Sequence, residues 1–402
     1  MQNLFNISKR LVESVETRFH RYLYQQINWD DRLVMIKGAR GTGKTTMMLQ
    51  RIKETYGQSS EALYASCDNL WFTDNKLLDL VDYHYEHGGK HLFLDEIHLY
   101  EGPWQRELKN IYDSYPNYKV TFTGSSIVHL NHAIADLSRR CLPYQLYGLS
   151  LREYLIFNDI VELPAYSIDE VLGSSHLVEN EINRSLPDGQ SILSLFNEYL
   201  GVGYYPFFMK SEKGEYYGRI ERMLDVTIMR DFPATTTIEY ETLLKLKKLL
   251  YVMSREFPFQ LNVASLSKNI GVARNTVAKM FDLLSRGAVL RCLESGWRSP
   301  KSVAKPSKIL FDNVDIMCAL TDLTDKGTMR ETFAASMLCV GHKLYEPPVG
   351  DILVDEKYLF EIGGKSKKFM QIADMPNSYT LIDDIESGLG NRIPLWLLGF
   401  LY

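Results

Sequence analysis

The sequence of 402 residues lacks several features that mark specialised classes of protein. Its five cysteines include no CxxC pair, which argues against a zinc site and a disulfide framework and indicates a reducing compartment. No apolar run approaches the roughly 18 residues that span a bilayer. The N-terminal residues include acidic side chains and lack the apolar core of a signal peptide. We therefore expect a cytoplasmic protein with no membrane partner.

The chain also lacks a strong charge of either sign. The net charge is −5 at pH 7, so the chain as a whole has no basic excess that would indicate binding to nucleic acid or membrane. Hydrophobic residues at 45% and charged residues at 24% are ordinary for a soluble globular protein. The length suggests two or three domains, and any basic surface must be local.

Strand and helix patterns alternate in the first part of the chain. Residues 1–31 are predicted to be helical from the spacing of their apolar side chains. Helical stretches then separate five apolar segments with the character of strands, "RLVMIKG", "EALYASCD", "KHLFLDEIH", "YKVTFTGSS" and "LPYQLYGLS". This alternation predicts a parallel sheet covered by helices.

The segment "GARGTGKTT" matches the phosphate-loop pattern G-x-x-x-x-G-K-[ST] between a predicted strand and a predicted helix. Its glycines let backbone N–H groups face phosphates, and the following helix directs its positive end toward them. We expect Lys44 to reach the β- and γ-phosphates and Thr45 to bind Mg²⁺. The residues predicted to bind ATP are Gly38, Ala39, Arg40, Gly41, Thr42, Gly43, Lys44, Thr45 and Thr46.

An acidic pair, Asp95-Glu96, ends the apolar strand "HLFLD". Asp95 is predicted to bind Mg²⁺, and Glu96 to polarise the water that attacks the γ-phosphate. The alternative is that both acids are merely solvated at the end of a strand.

Two later segments offer further site residues. Ser125 or Ser126, after the strand "VTFTG", is placed to contact the γ-phosphate, and the alternative is a simple strand-end turn. Arg139 or Arg140 is a candidate arginine finger for the nucleotide of a neighbouring subunit. The alternative for each arginine is a solvated or ion-paired surface side chain.

These segments together resemble a prokaryotic family of AAA-type ATPases whose phosphate loop lies near the N-terminus. The family carries an acidic pair on its third strand, "TGSS" on its fourth and an "LSxREY" pattern after its fifth, matched here by Asp95-Glu96, Thr123–Ser126 and Leu149–Tyr154. The resemblance covers nearly the whole chain. It implies an α/β P-loop NTPase with strand order 5-1-4-3-2, a winged helix and a C-terminal domain similar to PD-(D/E)xK nucleases. The predicted domains are the ATPase domain 1–160, a helical segment 161–237, a winged helix 238–302 and a nuclease-like α/β domain 303–402.

The winged-helix candidate is "VASLSKNIGVARNTVAKMFDLLSRGAVLRCL". Residues 258–301 have a net charge of +5, whereas the whole chain has −5. Arg274, Asn275 and Lys279 are predicted to be exposed on the second helix, where they would contact DNA. The alternative is a module that binds protein or another domain.

In the C-terminal domain, the resemblance assigns Glu331, Asp351 and Glu361 to the acidic positions of a nuclease. In such sites the lysine stands two residues after the second strand acid, because alternate strand residues share a face. Gly363 occupies that position here, and Lys365 comes next after a glycine pair that predicts a bend. We therefore predict a degenerate domain used for binding or assembly.

The function predicted from the sequence is Mg²⁺-dependent ATP binding and hydrolysis coupled to domain rearrangement, in a switch or assembly ATPase. We also predict that the protein forms a homo-oligomer or binds a protein partner. The alternatives are a DNA-binding module that ATP regulates without important turnover, and an ATP-gated nuclease.

Overall fold

A computed structural model describes most of the chain and divides it into two compact units. One unit comprises Met1–Tyr147 and Asp225–Ile238, and the other comprises Gly148–Leu224 and Glu239–Tyr402. Among the described residues, no helix has both the length and the apolar character needed to cross a membrane. The described residues are 1–124, 137, 139–210, 212–255, 263–295, 308–321, 325–367 and 371–402.

Helices and strands alternate as far as the fifth strand, after which several helices follow one another before the next strand. The α-helices in the described residues are α1 (Gln2–Ser14), α2 (Leu23–Gln26), α3 (Lys44–Tyr56), α4 (Trp71–Asp74), α5 (Leu77–Glu86), α6 (Trp104–Ser114), α7 (Leu151–Phe157), α8 (Ile168–Gly173), α9 (Ser175–Ser185), α10 (Ile192–Val202), α11 (Lys213–Val226), α12 (Phe232–Thr235), α13 (Tyr240–Met253), α14 (Val263–Ile270), α15 (Arg274–Arg286), α16 (Val314–Leu320) and α17 (Lys326–Leu338). The strands are β1 (Leu33–Lys37), β2 (Ala62–Ser66), β3 (His91–Asp95), β4 (Lys119–Gly124), β5 (Leu142–Gln145), β6 (Leu290–Ser295), β7 (Lys308–Phe311), β8 (Leu344–Glu346), β9 (Ile352–Val354), β10 (Tyr358–Gly363), β11 (Ser378–Ile382) and β12 (Arg392–Pro394). Short 3₁₀ helices span Ile97–Leu99, Pro206–Lys210 and Leu395–Phe400, and a π-helix spans Thr227–Asp231.

The first unit contains a parallel sheet of five strands in the order β2-β3-β4-β1-β5. This order confirms the predicted 5-1-4-3-2 arrangement. Lys37 pairs with Gly124 and Ser66 pairs with Asp95 at the carboxyl ends of these strands. The carboxyl ends of these strands therefore lie at one edge of the sheet, where open α/β sheets bind their ligands.

Both faces of this sheet are covered. Leu33 and Met35 of β1 belong to one hydrophobic cluster, and Val34 and Ile36 belong to the other. Successive side chains of a strand point to opposite faces, so an unbroken apolar run fills two cores at once. This is the physical reason that the short apolar segments of the sequence form a buried parallel sheet.

The helix predicted over residues 1–31 is wrong as a continuous element, since α1 ends at Ser14 and only the short α2 follows. The side-chain amide of Gln50, on α3, donates to the carbonyls of Glu16 and Phe19, each at 2.8 Å. A continued helix would use these carbonyls for its own hydrogen bonds. Tertiary contacts with α3 therefore override the helical spacing of the sequence.

The second unit contains a sheet of seven strands in the order β12-β11-β10-β9-β8-β6-β7. Strand β6 pairs antiparallel with β7 and parallel with β8, where Glu294 lies opposite Tyr345. Strands on both sides of the predicted boundary at residue 302 therefore belong to the same sheet. A hairpin strand with a free edge readily accepts another strand, because its N–H and C=O groups are otherwise unpaired.

The "LSLREY" segment belongs to the second unit, whereas the sequence placed residues 148–160 in the ATPase domain. The hydroxyl of Ser150 donates to the main-chain oxygen of Tyr402 at 2.7 Å, and Nε of Arg152 donates to the same oxygen at 2.9 Å. Ser150 and Glu153 also form a capping box at the start of α7. The segment thus anchors the far end of the chain.

Candidate functional site

The phosphate loop joins β1 to α3, and two of its glycines are required by the backbone. Gly43 has φ 96°, in the left-handed region that favours glycine, immediately before α3 begins at Lys44. At Gly38, an added Cβ would lie 2.3 Å from the carbonyl oxygen of Leu146. The loop can therefore take this shape only with the small residues that the sequence provides.

The ammonium group of Lys44 is held inside the loop. Its Nζ donates to the carbonyls of Gly38 at 3.0 Å and Ala39 at 2.8 Å. Burial lowers the pKa of Lys44 from its usual value, although the nearby carboxylates of Glu96 and Asp95 oppose this shift. A buried lysine at the centre of a loop of backbone donors is suited to bind phosphate.

Arg21, a buried arginine that the sequence did not indicate, stabilises the phosphate loop by hydrogen bonds to backbone carbonyls. Nη1 of Arg21 donates to the carbonyl of Thr42, and Nη2 donates to the carbonyl of Tyr147 at 2.8 Å. The Thr42 hydroxyl donates to the carbonyl of Ala39 at 2.9 Å. Nothing in the sequence marks Arg21, because its role depends on contacts with residues far along the chain.

The two predicted metal ligands, Thr45 and Asp95, lie in direct contact. The Thr45 hydroxyl donates to Oδ2 of Asp95 at 2.5 Å. The Tyr64 hydroxyl donates to the same oxygen at 2.9 Å, and the Thr123 hydroxyl donates to Oδ1. The neighbouring strands β2 and β4 therefore fix the Asp95 carboxylate, through Tyr64 and Thr123, which the sequence reasoning also missed.

Glu96 directly follows β3 and has φ 52°. This left-handed conformation is unusual for a residue other than glycine, and such residues concentrate at functional sites. Oε2 of Glu96 lies 3.4 Å from Nδ1 of His98 and 3.8 Å from Nη2 of Arg40. The bend after β3 thus turns the carboxylate toward these two side chains beside the phosphate loop.

Asp231 enters the same site from a distant part of the sequence. Its Oδ1 lies 3.0 Å from Nη2 of Arg40 and 3.6 Å from Nε2 of His98. Burial alone would raise the pKa of Asp231, but the hydrogen bond with His98 and the charge of Arg40 outweigh burial and lower it. The sequence reasoning placed this residue in the helical segment 161–237 and gave it no role.

The remaining predicted residues of the ATP site have different outcomes. Ser125 and Ser126 lie outside the described residues. Arg140 donates to both carboxylate oxygens of Asp113, at 3.0 and 3.1 Å. Arg139 is exposed. Arg140 is therefore ion-paired with Asp113, whereas the side chain of Arg139 is exposed.

On α15, the predicted DNA-contacting residues share an exposed surface. Arg274, Asn275 and Lys279 are exposed, whereas Val277 and Phe281 are buried on the opposite face. The spacing of these buried residues explains the amphipathic pattern of the segment.

Part of the local basic charge is already paired within the second unit. Arg291 makes an ion pair with Asp312 at 2.6 Å, and Arg286 makes one with Asp282 at 2.9 Å. The net charge of +5 already includes Asp282, so of these two pairs only the Arg291–Asp312 pair offsets part of it with an acid outside residues 258–301.

The three acids that the family resemblance assigned to a nuclease site are paired with lysines. Nζ of Lys308 lies 2.6 Å from Oε2 of Glu331 and 4.0 Å from Oδ1 of Asp351. The other oxygen of Asp351 accepts the backbone N–H of Ile362 at 2.6 Å. One ammonium group thus lies between two of the three acids that the resemblance assigned.

The third acid, Glu361, is 1% exposed and lies 2.9 Å from Nζ of Lys367. The sequence reasoning considered Lys365 for this position, but Lys365 is exposed on the turn. An added Cβ at Gly363 would lie 2.7 Å from the side chain of Lys367. The glycine that replaces the expected lysine therefore leaves the space through which Lys367 reaches Glu361.

Comparison with known proteins agrees with this geometry. Residues 30–155 match the family described as AAA domain, and residues 193–327 match a domain of unknown function. Solved structures of a RuvB variant from Thermotoga maritima and of AMPPCP-bound DnaA from Aquifex aeolicus are each 14% identical to this chain. The RuvB alignment covers 75% of this chain and 90% of RuvB, with a TM-score of 0.32. The DnaA alignment covers 70% of this chain and 87% of DnaA, with a TM-score of 0.27, and neither score supports a functional argument.

A relative with much higher sequence identity is the uncharacterised protein MJ1637 of Methanocaldococcus jannaschii. It is 30% identical over 371 residues, which cover 85% of this chain and 77% of the relative. This chain, which has an AAA domain over residues 30–155 and a parallel sheet in the order 5-1-4-3-2, belongs to the same family as MJ1637.

Proposed function

We propose that this protein binds ATP with Mg²⁺, hydrolyses it and couples hydrolysis to rearrangement of its domains. The observation that carries the proposal is the contact of 2.5 Å between the Thr45 hydroxyl and the Asp95 carboxylate, beside the buried ammonium of Lys44. A hydroxyl and a carboxylate that meet next to a phosphate loop fit the coordination of Mg²⁺ by oxygen ligands.

Each residue has a distinct part in the proposed site. Thr45 and Asp95 would hold Mg²⁺, and Lys44 would bind the terminal phosphates. The bound metal supplies positive charge that offsets the charge of the phosphates. Glu96, held at the end of β3, accepts a hydrogen bond from the attacking water and so orients and polarises it.

The route of the chain supports the proposed coupling. Residues 225–238 belong to the unit that contains the phosphate loop, whereas the residues before and after them belong to the other unit. The two units are therefore joined covalently at three points along the chain, and two of these flank a segment that reaches the ATP site through Asp231. A change at the ATP site can thus be transmitted to the second unit through the backbone.

The two arginines after the fourth strand give a prediction about the proposed finger. We expect Arg139→Ala to lower kcat about 10³-fold or more, because an arginine finger that stabilises the transition-state charge is worth about 10³–10⁵ in kcat. Arg140→Ala is the matched control: it removes an ion pair with Asp113 that is partly exposed and worth at most about 1 kcal/mol. The measurement is steady-state ATP turnover over a range of protein concentrations.

A finger that acts between subunits makes specific activity rise with protein concentration, and Arg139→Ala should remove that rise. Equal turnover in wild type and Arg139→Ala at every concentration would exclude Arg139 from hydrolysis.

A second candidate function is DNA binding by the face of α15 formed by Arg274, Asn275 and Lys279. The exposure of all three side chains favours it. We expect the wild type to bind a labelled duplex, and the double variant Arg274→Gln/Lys279→Gln to lower the slope of log K against log salt by about two. Lys365→Gln, which neutralises one exposed lysine on the turn after β10, is a control that should leave the slope unchanged.

Fluorescence anisotropy between about 50 and 200 mM salt measures this slope. An absence of duplex binding at the low end of this range, both with and without ATP, would eliminate the DNA hypothesis and leave the ATPase proposal intact.

A further inference from the structure

The segment Asp225–Ile238 has an irregular backbone at the point where it meets the ATP site. A π-helix spans Thr227–Asp231 and is followed directly by α12. π-Helices are rare, and they occur mostly as single turns at functional sites. Asp231 is the last residue of this π-helix and is 1% exposed, within the same compact unit as the phosphate loop.

Asp231 holds Arg40 through a forked contact. Nη2 of Arg40 donates to both oxygens of Asp231, at 3.0 and 3.3 Å, and Nε donates to Oδ2 at 3.4 Å. Forked guanidinium–carboxylate contacts are strong and geometrically specific. Arg40 belongs to the phosphate loop, so this contact ties the distant segment to the loop itself.

His98 also lies between the carboxylates of Asp231 and Glu96. Its Nε2 lies 3.6 Å from Asp231, and its Nδ1 lies 3.4 Å from Glu96. The His98 side chain is completely buried, so the surrounding residues fix the position of its ring. Arg40 and His98 therefore both stand between Asp231 and Glu96.

The distances show that Arg40 interacts more strongly with Asp231 than with Glu96. The guanidinium lies 3.0 Å from Asp231 but 3.8 Å from Glu96. Asp231 and Glu96 compete for one guanidinium, and a buried pair is screened by solvent much less than an exposed pair. If Asp231 lost its charge, Arg40 would move toward Glu96, because the Glu96 carboxylate already lies within ion-pair distance of its guanidinium.

We propose that Asp231 is a positioning residue for ATP hydrolysis: by holding Arg40 and His98, it keeps the Glu96 carboxylate from closing onto Arg40 and leaves it directed toward the attacking water. This inference rests on the ATPase function proposed above and adds the regulation of that site. Both ends of the segment continue into the second unit, at Leu224 and Glu239. Displacement of the segment therefore withdraws Asp231, releases Arg40 and slows hydrolysis, while Lys44 and Thr45 keep their places in the phosphate loop.

The test compares Asp231→Asn with the wild type. The asparagine keeps the shape and an oxygen acceptor but loses the charge that competes for Arg40. We expect kcat to fall about tenfold while Kd for ATP stays within about threefold, since the loss affects the hydrolysis step. The unfolding midpoint should stay within a few degrees of the wild-type value.

Two further variants separate positioning from a purely structural role. Asp231→Glu retains the charge and should restore kcat to within about threefold of the wild type. Arg230→Gln removes an exposed charge from the neighbouring position and should leave kcat unchanged. A purely structural role predicts instead that Asp231→Asn and Asp231→Glu lower the unfolding midpoint and ATP affinity together.

The possible results distinguish this inference from the proposed function. If the wild type hydrolyses ATP and Asp231→Asn has the same kcat, the inference is wrong and the ATPase proposal stands. Parallel losses of kcat, affinity and thermal stability in Asp231→Asn, without recovery in Asp231→Glu, would also overturn the inference. A wild-type protein that does not turn over ATP would overturn the proposed function and this inference with it.

Discussion

Replacement of Lys44 by alanine is expected to abolish ATP binding and hydrolysis. The Lys44 ammonium is buried within the phosphate loop, where its Nζ lies within hydrogen-bond distance of the carbonyls of Gly38 and Ala39. A charge-assisted hydrogen bond contributes about 1.5–3 kcal/mol, so the loss of two such bonds to phosphate oxygens weakens binding roughly 10²–10³-fold or more. Isothermal titration with ATP and Mg²⁺ measures Kd, and phosphate release measures turnover.

Lys53→Ala is a matched control for this variant because it removes a lysine from the same helix, α3. Nζ of Lys53 also donates to main-chain carbonyls, those of Glu13 and Val15, at 3.0 and 2.7 Å. This control should lower thermal stability without changing ATP affinity. If Lys44→Ala binds ATP as tightly as the wild type, the loop does not have the role that we assign to it.

Replacement of Glu96 by glutamine is expected to separate binding from hydrolysis. The glutamine keeps the size of the side chain but loses the negative charge that polarises water, and a general base typically contributes 10²–10⁴-fold to the rate, so kcat should fall by roughly that factor. Kd for ATP should remain close to the wild-type value, because Lys44, Thr45 and Asp95 are unchanged. Single-turnover measurements should show ATP that stays bound and intact.

Glu101→Gln is the control for Glu96→Gln, since it neutralises an exposed acid five residues further along the same loop region. It should leave both kcat and Kd unchanged. Hydrolysis by Glu96→Gln at the wild-type rate would assign water activation to a different residue. A loss of ATP binding in Glu96→Gln would indicate that Glu96 serves binding rather than hydrolysis.

The proposed ATP site shows why some of its residues were predictable and others were not. The phosphate loop is one continuous segment, and the acidic pair Asp95-Glu96 directly ends a buried strand. Local spacing identifies both features, since the chemistry of phosphate binding demands particular residue types next to one another. Arg21 and Asp231 carry no such local signal, because each acts through contacts with residues that are remote in the sequence.

The acids that the family resemblance assigned to a nuclease site show a similar division. Gly363 stands two residues after Glu361, where the resemblance would place a lysine. The lysine that reaches Glu361 is Lys367, which passes through the space that Gly363 leaves. The ion pair between Lys308 and Glu331 could not be predicted from the sequence. The neighbours of the β7 side chains are known only once that strand has its place in the sheet.

The sequence by itself determined the parallel sheet, its strand order through family resemblance, and the residues of the phosphate loop. These depend on patterns of neighbouring residues and on apolar runs that two covering layers of helices require. The tertiary structure alone decided where the units divide, how β6 joins the second sheet, and how Asp231 reaches Glu96 through Arg40 and His98. The physical reason is that ion pairs and strand pairing act between groups adjacent in space, whatever their separation along the chain.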